Sequence, residues 1–182
     1  LAGVVMRGKP ATRGPSVLGA DGDLASFIRA MHEISGPMAT PLISGLGKLK
    51  FTHLLDLGGA SGTWTVPFLR LNPGARATIL DRPEVIPMAR RLMRKAGLAD
   101  RVRLVPGDFM KGALPEGADL AWVSAIVHQN SRVQNRRLFA KLFSALEPGG
   151  QILIRDIVMD ASRTRPAGGA MFAVNMLVNT PG

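Results

Sequence analysis

Cysteine is absent from this 182-residue chain, and so is tyrosine. The first absence excludes a disulfide framework and leaves any zinc site without thiolate ligands, so a cytoplasmic protein is the default expectation. The second, with aromatic residues at only 5%, leaves little from which to build base-stacking platforms for nucleic acid. No uncharged apolar run reaches the ~18 residues of a membrane-spanning helix. The amino-terminal LAGVVMRGKPATRGP is too interrupted for a signal peptide. No membrane partner is expected, and no repeat or low-complexity tract occurs.

Acidic residues are also scarce, 13 Asp and Glu against 23 Lys and Arg, for a net charge of +10. Such an excess can mark a surface for nucleic acid. Its distribution points instead to a solvated basic surface. The densest cluster, Arg90, Arg91, Arg94 and Lys95, falls in the last turns of a predicted helix, where cations complement the helix dipole. No nucleic-acid partner is expected.

What is present is enough apolar material for one core, 46% of residues. Residues 1–20, rich in Gly, Pro and Arg, read as a linker or arm, and a start at Leu rather than Met reads as a fragment. Residues 21–182 read as one domain with a helical lead-in over 21–48. There Asp23 is an N-cap candidate, and Leu24, Phe27, Ile28 and Met31 recur at i, i+3, i+4 and i+7. Gly36-Pro37 is expected to break this helix from a second one. Five strand candidates follow, at 52–57, 76–81, 102–105, 119–127 and 151–158. Helical patterns lie near 62–71, 83–96 and 131–146, the last opening with Ser131 and Gln134 at capping-box spacing. No helix is expected over 106–118. Strands that read as continuous apolar runs suit a parallel sheet covered on both faces, so the fold class is α/β, a doubly wound, mostly parallel sheet.

In such a sheet, ligands bind at the carboxyl ends of the strands. Those ends carry Asp56 with Gly58, Gly59 and Gly62, then Asp81, Asp108, His128 and Asp156. The turn HLLDLGGASG departs from the dinucleotide fingerprint GxGxxG, having Ala60 and Thr63 where glycines would stand, and fits D-x-G-x-x-x-G. A tight strand-to-helix turn without a ligand remains the alternative. Asp81, at the second strand end, is placed to accept hydrogen bonds from both ribose hydroxyls of a nucleoside cofactor. A diphosphate wants free donors at a helix N-terminus, whereas a sulfonium cofactor brings positive charge, which Asp56 suits better. Asp108 can receive an adenine amino group, with Phe109 against the ring, or simply form an Asx turn after Gly107.

From about Phe27 to Gly182 the sequence resembles the S-adenosylmethionine-dependent O-methyltransferases of the caffeic acid and hydroxyindole type, a group that includes bacterial polyketide and antibiotic enzymes. LLDLGGASG, ILDRPEV, GDFM, AIVHQNS, LEPGGQILIRDIV and NMLVNTPG carry the likeness. It implies a Rossmann-like class I methyltransferase domain, with S-adenosyl-L-methionine as cofactor and S-adenosyl-L-homocysteine as product. Gly58, Gly59, Asp81, Asp108 and Phe109 inherit cofactor binding, and Ser35 matches a serine that contacts the cofactor. Ser124 stands where many plant members have a lysine, which implies a different hold on the adenine end.

Methyl transfer to oxygen needs a base, because a neutral hydroxyl is a poor nucleophile. Imidazole, with a free pKa of about 6.5, suits that task near neutrality. The resemblance makes His128 the general base and Asp156 its orienting carboxylate; otherwise His128 reads as a capping histidine and Asp156 as a partner for Arg155. The family commonly reads His-Asp-Trp where this chain has His128-Gln129-Asn130. A second acidic partner would lie beyond Gly182, so a carboxyl-terminally truncated domain is expected. The acceptor pocket is expected among Phe27, Met31, Phe172, Met176 and Thr180, a stripe that equally suits ordinary core. His32 and His53 read as structural. The acceptor is expected to be a small, aromatic or polyketide-like hydroxyl compound, and the intact protein a homodimer through an upstream helical domain. Alternatives are an RNA or protein methyltransferase, a cofactor-binding module without catalysis and, disfavoured by Ala60 and Thr63, a dehydrogenase.

Overall fold

The computed structural model describes residues 2–7, 10 and 14–179. Its centre is a parallel five-stranded sheet in the order β3-β2-β1-β4-β5. The strands are β1 (His53–Leu57), β2 (Arg76–Asp81), β3 (Val102–Pro106), β4 (Ala118–Ser124) and β5 (Leu146–Arg155). The order reverses between β1 and β4, so the carboxyl ends of those two strands flank the switch point where a doubly wound sheet opens a crevice.

Six helices accompany the sheet among the described residues: α1 (Ala2–Arg7), α2 (Gly19–Gly45), α3 (Thr65–Leu71), α4 (Ile86–Lys95), α5 (Arg132–Ala145) and α6 (Ala167–Asn179). The central strands are apolar on both faces because both are covered. On one face Leu54, Ala77, Ile79, Leu120 and Trp122 pack with Ala39 and Ile43 of α2, Phe68 of α3 and Met93 of α4. On the other, Leu55, Leu57, Leu80, Ala121 and Val123 pack with Leu138 and Leu142 of α5. The segment between β3 and β4 forms no helix, as expected, and buried Leu114, with half-buried Phe109 and Met110, anchors it in that second layer.

Several elements depart from the expected bounds. Part of the expected linker is helical: α1 buries Val4, and α2 begins at Gly19. Asp23 lies inside α2 and does not cap it; its carboxylate turns back to accept from the Ser16 amide at 2.8 Å and from the Ser16 hydroxyl. Gly36-Pro37 does not break the helix, which runs on with Pro37 and Pro41 inside it. At 100° per residue the two prolines share the side opposite the buried Ala39 and Ile43, so packing of the inner side outweighs the lost backbone bonds. β4 stops at Ser124 and not at 127, because Ala125 adopts φ +57° and turns the chain away. β5 starts earlier, at Leu146, and ends at Arg155, which leaves Asp156 just beyond the strand. Ser131 caps α5 by the expected reciprocal bonds with Gln134.

Candidate active site

The glycine turn after β1 is fixed by the absence of side chains. Gly58 has φ +63°, and a Cβ there would lie 2.7 Å from Ile126 Cδ1 and 3.3 Å from the Phe109 ring. Gly62 has φ +83°, and a Cβ would lie 2.6 Å from Met93 Cε. A Cβ on Gly59 would meet the Asp56 carboxyl carbon at 2.7 Å. Gly58 and Gly62 therefore combine a backbone conformation that disfavours side chains with a neighbour that fills the space.

Asp56 lies beneath this turn, 1% exposed, and accepts a hydrogen bond from Thr65 Oγ1 at 2.5 Å. Burial pushes its pKa up to about 7, against the lowering pull of the Thr65 bond, with a further rise from the Asp81 charge. Its carboxyl thus braces the turn from below and does not face open space. Asp81 is different. One oxygen accepts from the Ala60 amide and the other from the Arg82 amide, each at 2.7 Å. Burial raises its pKa, and the two backbone bonds oppose that rise. Each oxygen keeps capacity to accept a further hydrogen bond. Asp108 is exposed, and the Met110 amide it caps at 2.9 Å holds its carboxyl below the ordinary range. Phe109 packs toward Gly58, and its carbonyl takes a hydrogen bond from Lys141.

Beyond β4, the positive φ of Ala125 swings Ile126 into the core and opens a short 3-10 turn, Val127–Gln129, that carries His128. The His128 Nδ1 and Asp156 Oδ1 atoms are 2.6 Å apart, and the His128 amide donates to Asp156 Oδ2 at 3.2 Å. A carboxylate can only accept, so Nδ1 carries the shared proton and Nε2 is the ring nitrogen left to take another. The Phe172 ring meets the imidazole edge to face, with centroids 4.8 Å apart. Glycine turn, Asp81 and this dyad all stand at the carboxyl edge of one sheet.

The O-methyltransferase domain profile matches residues 19–182. The chain belongs to the O-methyltransferase family. This O-methyltransferase domain is 33% identical over 154 residues to the tetracenomycin polyketide synthesis 8-O-methyltransferase TcmO of Streptomyces glaucescens, a match covering 85% of this chain and 45% of that protein. It is 30% identical over 157 residues to the 3-hydroxy-5-methyl-1-naphthoate 3-O-methyltransferase of Streptomyces sahachiroi, covering 86% and 46%. Human N-acetylserotonin methyltransferase, solved in complex with SAM, superposes with a TM-score of 0.81 at 25% identity, over 100% of this chain and 54% of that one. The chain spans about half the length of the curated relatives it matches.

Other expected residues fall in varied places within this O-methyltransferase domain. Ser35 shares a face of α2 with Ile28 and His32, at i+7 and i+3 from them. Ser124 ends β4 and accepts from the Arg155 guanidinium at 3.2 Å. Phe27 is 57% exposed, while Met31 and Met176 are half-buried. Thr180 lies outside the described residues. His53 bridges the Gly117 carbonyl at 2.9 Å and Thr78 Oγ1 at 2.8 Å at the far edge of the sheet, a structural role. His32 does more than fill space: its Nδ1 lies 2.7 Å from Thr63 Oγ1, tying α2 to the glycine turn. Only its place on the Ile28–Ser35 face hinted at that.

Two hollows lie off this centre. One of about 440 Å³, at the amino-terminal edge, is lined by His53, Thr78, Arg101 and Glu116. Its polar groups are largely engaged in structure, Arg101 holding the Leu69, Asn72 and Ala75 carbonyls. The other, about 330 Å³, lies under Gly107, Asp108 and Leu114. Neither contains the dyad. No cluster of metal-ligating side chains occurs among the described residues.

Proposed function

We propose that the protein methylates a hydroxyl group of a small aromatic or polyketide-like molecule, using S-adenosyl-L-methionine. The carrying observation is the 2.6 Å contact of His128 with Asp156 at the sheet edge that also bears the glycine turn and Asp81. The donor set fits the cofactor: Asp81 offers acceptors for ribose hydroxyls, Asp108 an exposed carboxylate for an adenine amino group, and Ser124 at the end of β4 and Ser35 on α2 neutral hydroxyls. When bound, the cofactor supplies a methyl group on positively charged sulfur. His128 Nε2 takes the proton of the acceptor hydroxyl as its oxygen gains the methyl group, and Asp156 stabilises the resulting imidazolium. Phe172 fixes the ring edge-on, and with Met31 and Met176 it borders the acceptor pocket, where methionines adapt to flat rings.

The wider reading includes a cytoplasmic location and a homodimer of the intact protein. No helix among the described residues is long and apolar enough to cross a membrane. Phe27 and Ile34 project apolar surface from α2, which favours a partner chain there. Neither nucleic acid nor membrane is a partner in this reading.

Turnover of a phenol panel with isotopically labelled methyl donor, beside titration with S-adenosylhomocysteine, tests it. Methylated product from the unsubstituted protein, and S-adenosylhomocysteine binding abolished by Asp81→Ala, is the expected result. Binding without turnover of any hydroxyl compound would favour a non-catalytic module, a reading to which Gln129 and Asn130 lend support. They spend their amides on the Ala125 carbonyl and Asn135.

A further inference from the structure

Arg155 is the last residue of β5, one before Asp156. Strand alternation sends the two side chains to opposite faces, and Arg155 rises on the face of Leu153 that α2 and α3 cover. Its guanidinium carbon lies 4.8 Å from the Trp64 ring centroid. It donates to Ser124 Oγ at 3.2 Å and to the Met38 sulfur at 3.4 Å. An aromatic face, a hydroxyl and a thioether engage part of a five-donor fork, and none of them carries a negative charge.

Among the described residues no carboxylate forms an ion pair with Arg155. Its neighbour Asp156 is held by His128 on the other side of the sheet. The exposed edge of a protein tolerates such a cation, but Arg155 is half-buried, where charge without counter-charge is unfavourable. Its surroundings belong to the site already described: Trp64 follows the glycine turn, Met38 is one helical turn past Ser35, and Ser124 ends the strand that leads into the turn bearing His128. A planar fork poised there matches a carboxylate in two-point contact.

We propose that Arg155 receives the carboxylate of a bound ligand. The inference rests on the methyl-transfer reading, which supplies two sources of that group: the amino-acid tail of the cofactor, and an acceptor that carries a carboxylate beside its hydroxyl.

Isothermal titration of the intact protein, of Arg155→Met and of Arg155→Lys distinguishes them. The probes are S-adenosylhomocysteine and 5′-methylthioadenosine, which keeps the nucleoside and lacks the amino-acid tail. A second pair, 3-hydroxybenzoate and its methyl ester, is titrated into protein saturated with S-adenosylhomocysteine. Arg155→Met keeps an apolar stem against Trp64, and its melting temperature is recorded alongside; Arg155→Lys keeps the charge without the fork and is read if the first variant fails to fold. If the tail is the ligand, S-adenosylhomocysteine binds Arg155→Met at least about tenfold more weakly, methylthioadenosine is unaffected, and lysine restores part of the loss. If the acceptor is the ligand, the preference for hydroxybenzoate over its ester disappears while both nucleosides bind as before. Unchanged selectivity in both pairs, or in the lysine variant alone where only it folds, overturns the proposal and leaves Arg155 a strut between Trp64 and Ser124. Failure of the unsubstituted protein to bind either nucleoside overturns the methyl-transfer reading and this inference together.

Discussion

His128 and Asp156 illustrate how a single contact defines a role. With Nδ1 committed to the carboxylate, Nε2 is the proton acceptor, so His128→Ala should lower the rate of methyl transfer by about 10²- to 10⁴-fold while S-adenosylhomocysteine affinity stays within about twofold. Asp156→Asn should lower the rate in the same direction, since an amide cannot stabilise the imidazolium; single-turnover rates and calorimetry check both. Asp56 governs stability. Its carboxyl rises from 3.8 to about 7 on folding, so the folded chain holds this proton more tightly than the unfolded one. The stabilisation from that group is complete below about pH 4 and is lost as pH climbs through about 7. Asp56→Asn should therefore flatten the melting-temperature profile between those values and raise the melting temperature at pH 8, as scanning calorimetry across pH would reveal. The role of Asp56 was not legible in the chain. DLGG reads as a carboxylate entering a ligand loop, and only packing tells that the carboxylate points beneath it.

At the scale of elements, the glycine turn and the cap of α5 are the sensitive joints. Gly58→Ala adds a Cβ 2.7 Å from Ile126 Cδ1 at φ +63°, and should destabilise the fold by about 1–3 kcal/mol. It should also weaken cofactor binding, because relieving the clash moves Ile126 or the turn itself; urea unfolding paired with titration separates the two effects. Ser131→Ala removes one half of a capping box and should cost about 1 kcal/mol, with no change in S-adenosylhomocysteine affinity. The spacing Ser131 to Gln134 announced that cap because its partners are three residues apart. The course of α2 was not announced. Gly36-Pro37 is a local breaker signal, and it yields to the burial of Ile28, Ala39 and Ile43, residues whose partners come from elsewhere in the chain.

For the whole molecule, the excess of basic residues is the feature most open to a second reading. If the surface is merely solvated, adding duplex DNA or single-stranded RNA at 150 mM salt, a condition of roughly physiological screening, should give no saturable binding. An affinity that falls steeply and linearly with the logarithm of salt concentration would instead favour an RNA-directed enzyme. Sedimentation of the intact protein tests the homodimer in the same buffer.

The order of strand, small-residue turn, helix and acidic strand end is carried by nearest neighbours, so the sequence alone determined the α/β class and the five strands, while the family came from the likeness of its motifs. Those features depend on periodicity and turn chemistry within a few residues. Tertiary structure decided the rest: the 2.6 Å contact that realises the expected pairing of His128 with Asp156, the burial of Asp56, the tie from His32 to Thr63, and the placement of Arg155 over Trp64 without an anionic partner among the described residues. Each depends on the depth and direction of a side chain after the sheet has twisted and the helices have docked, and a one-dimensional pattern does not hold that information.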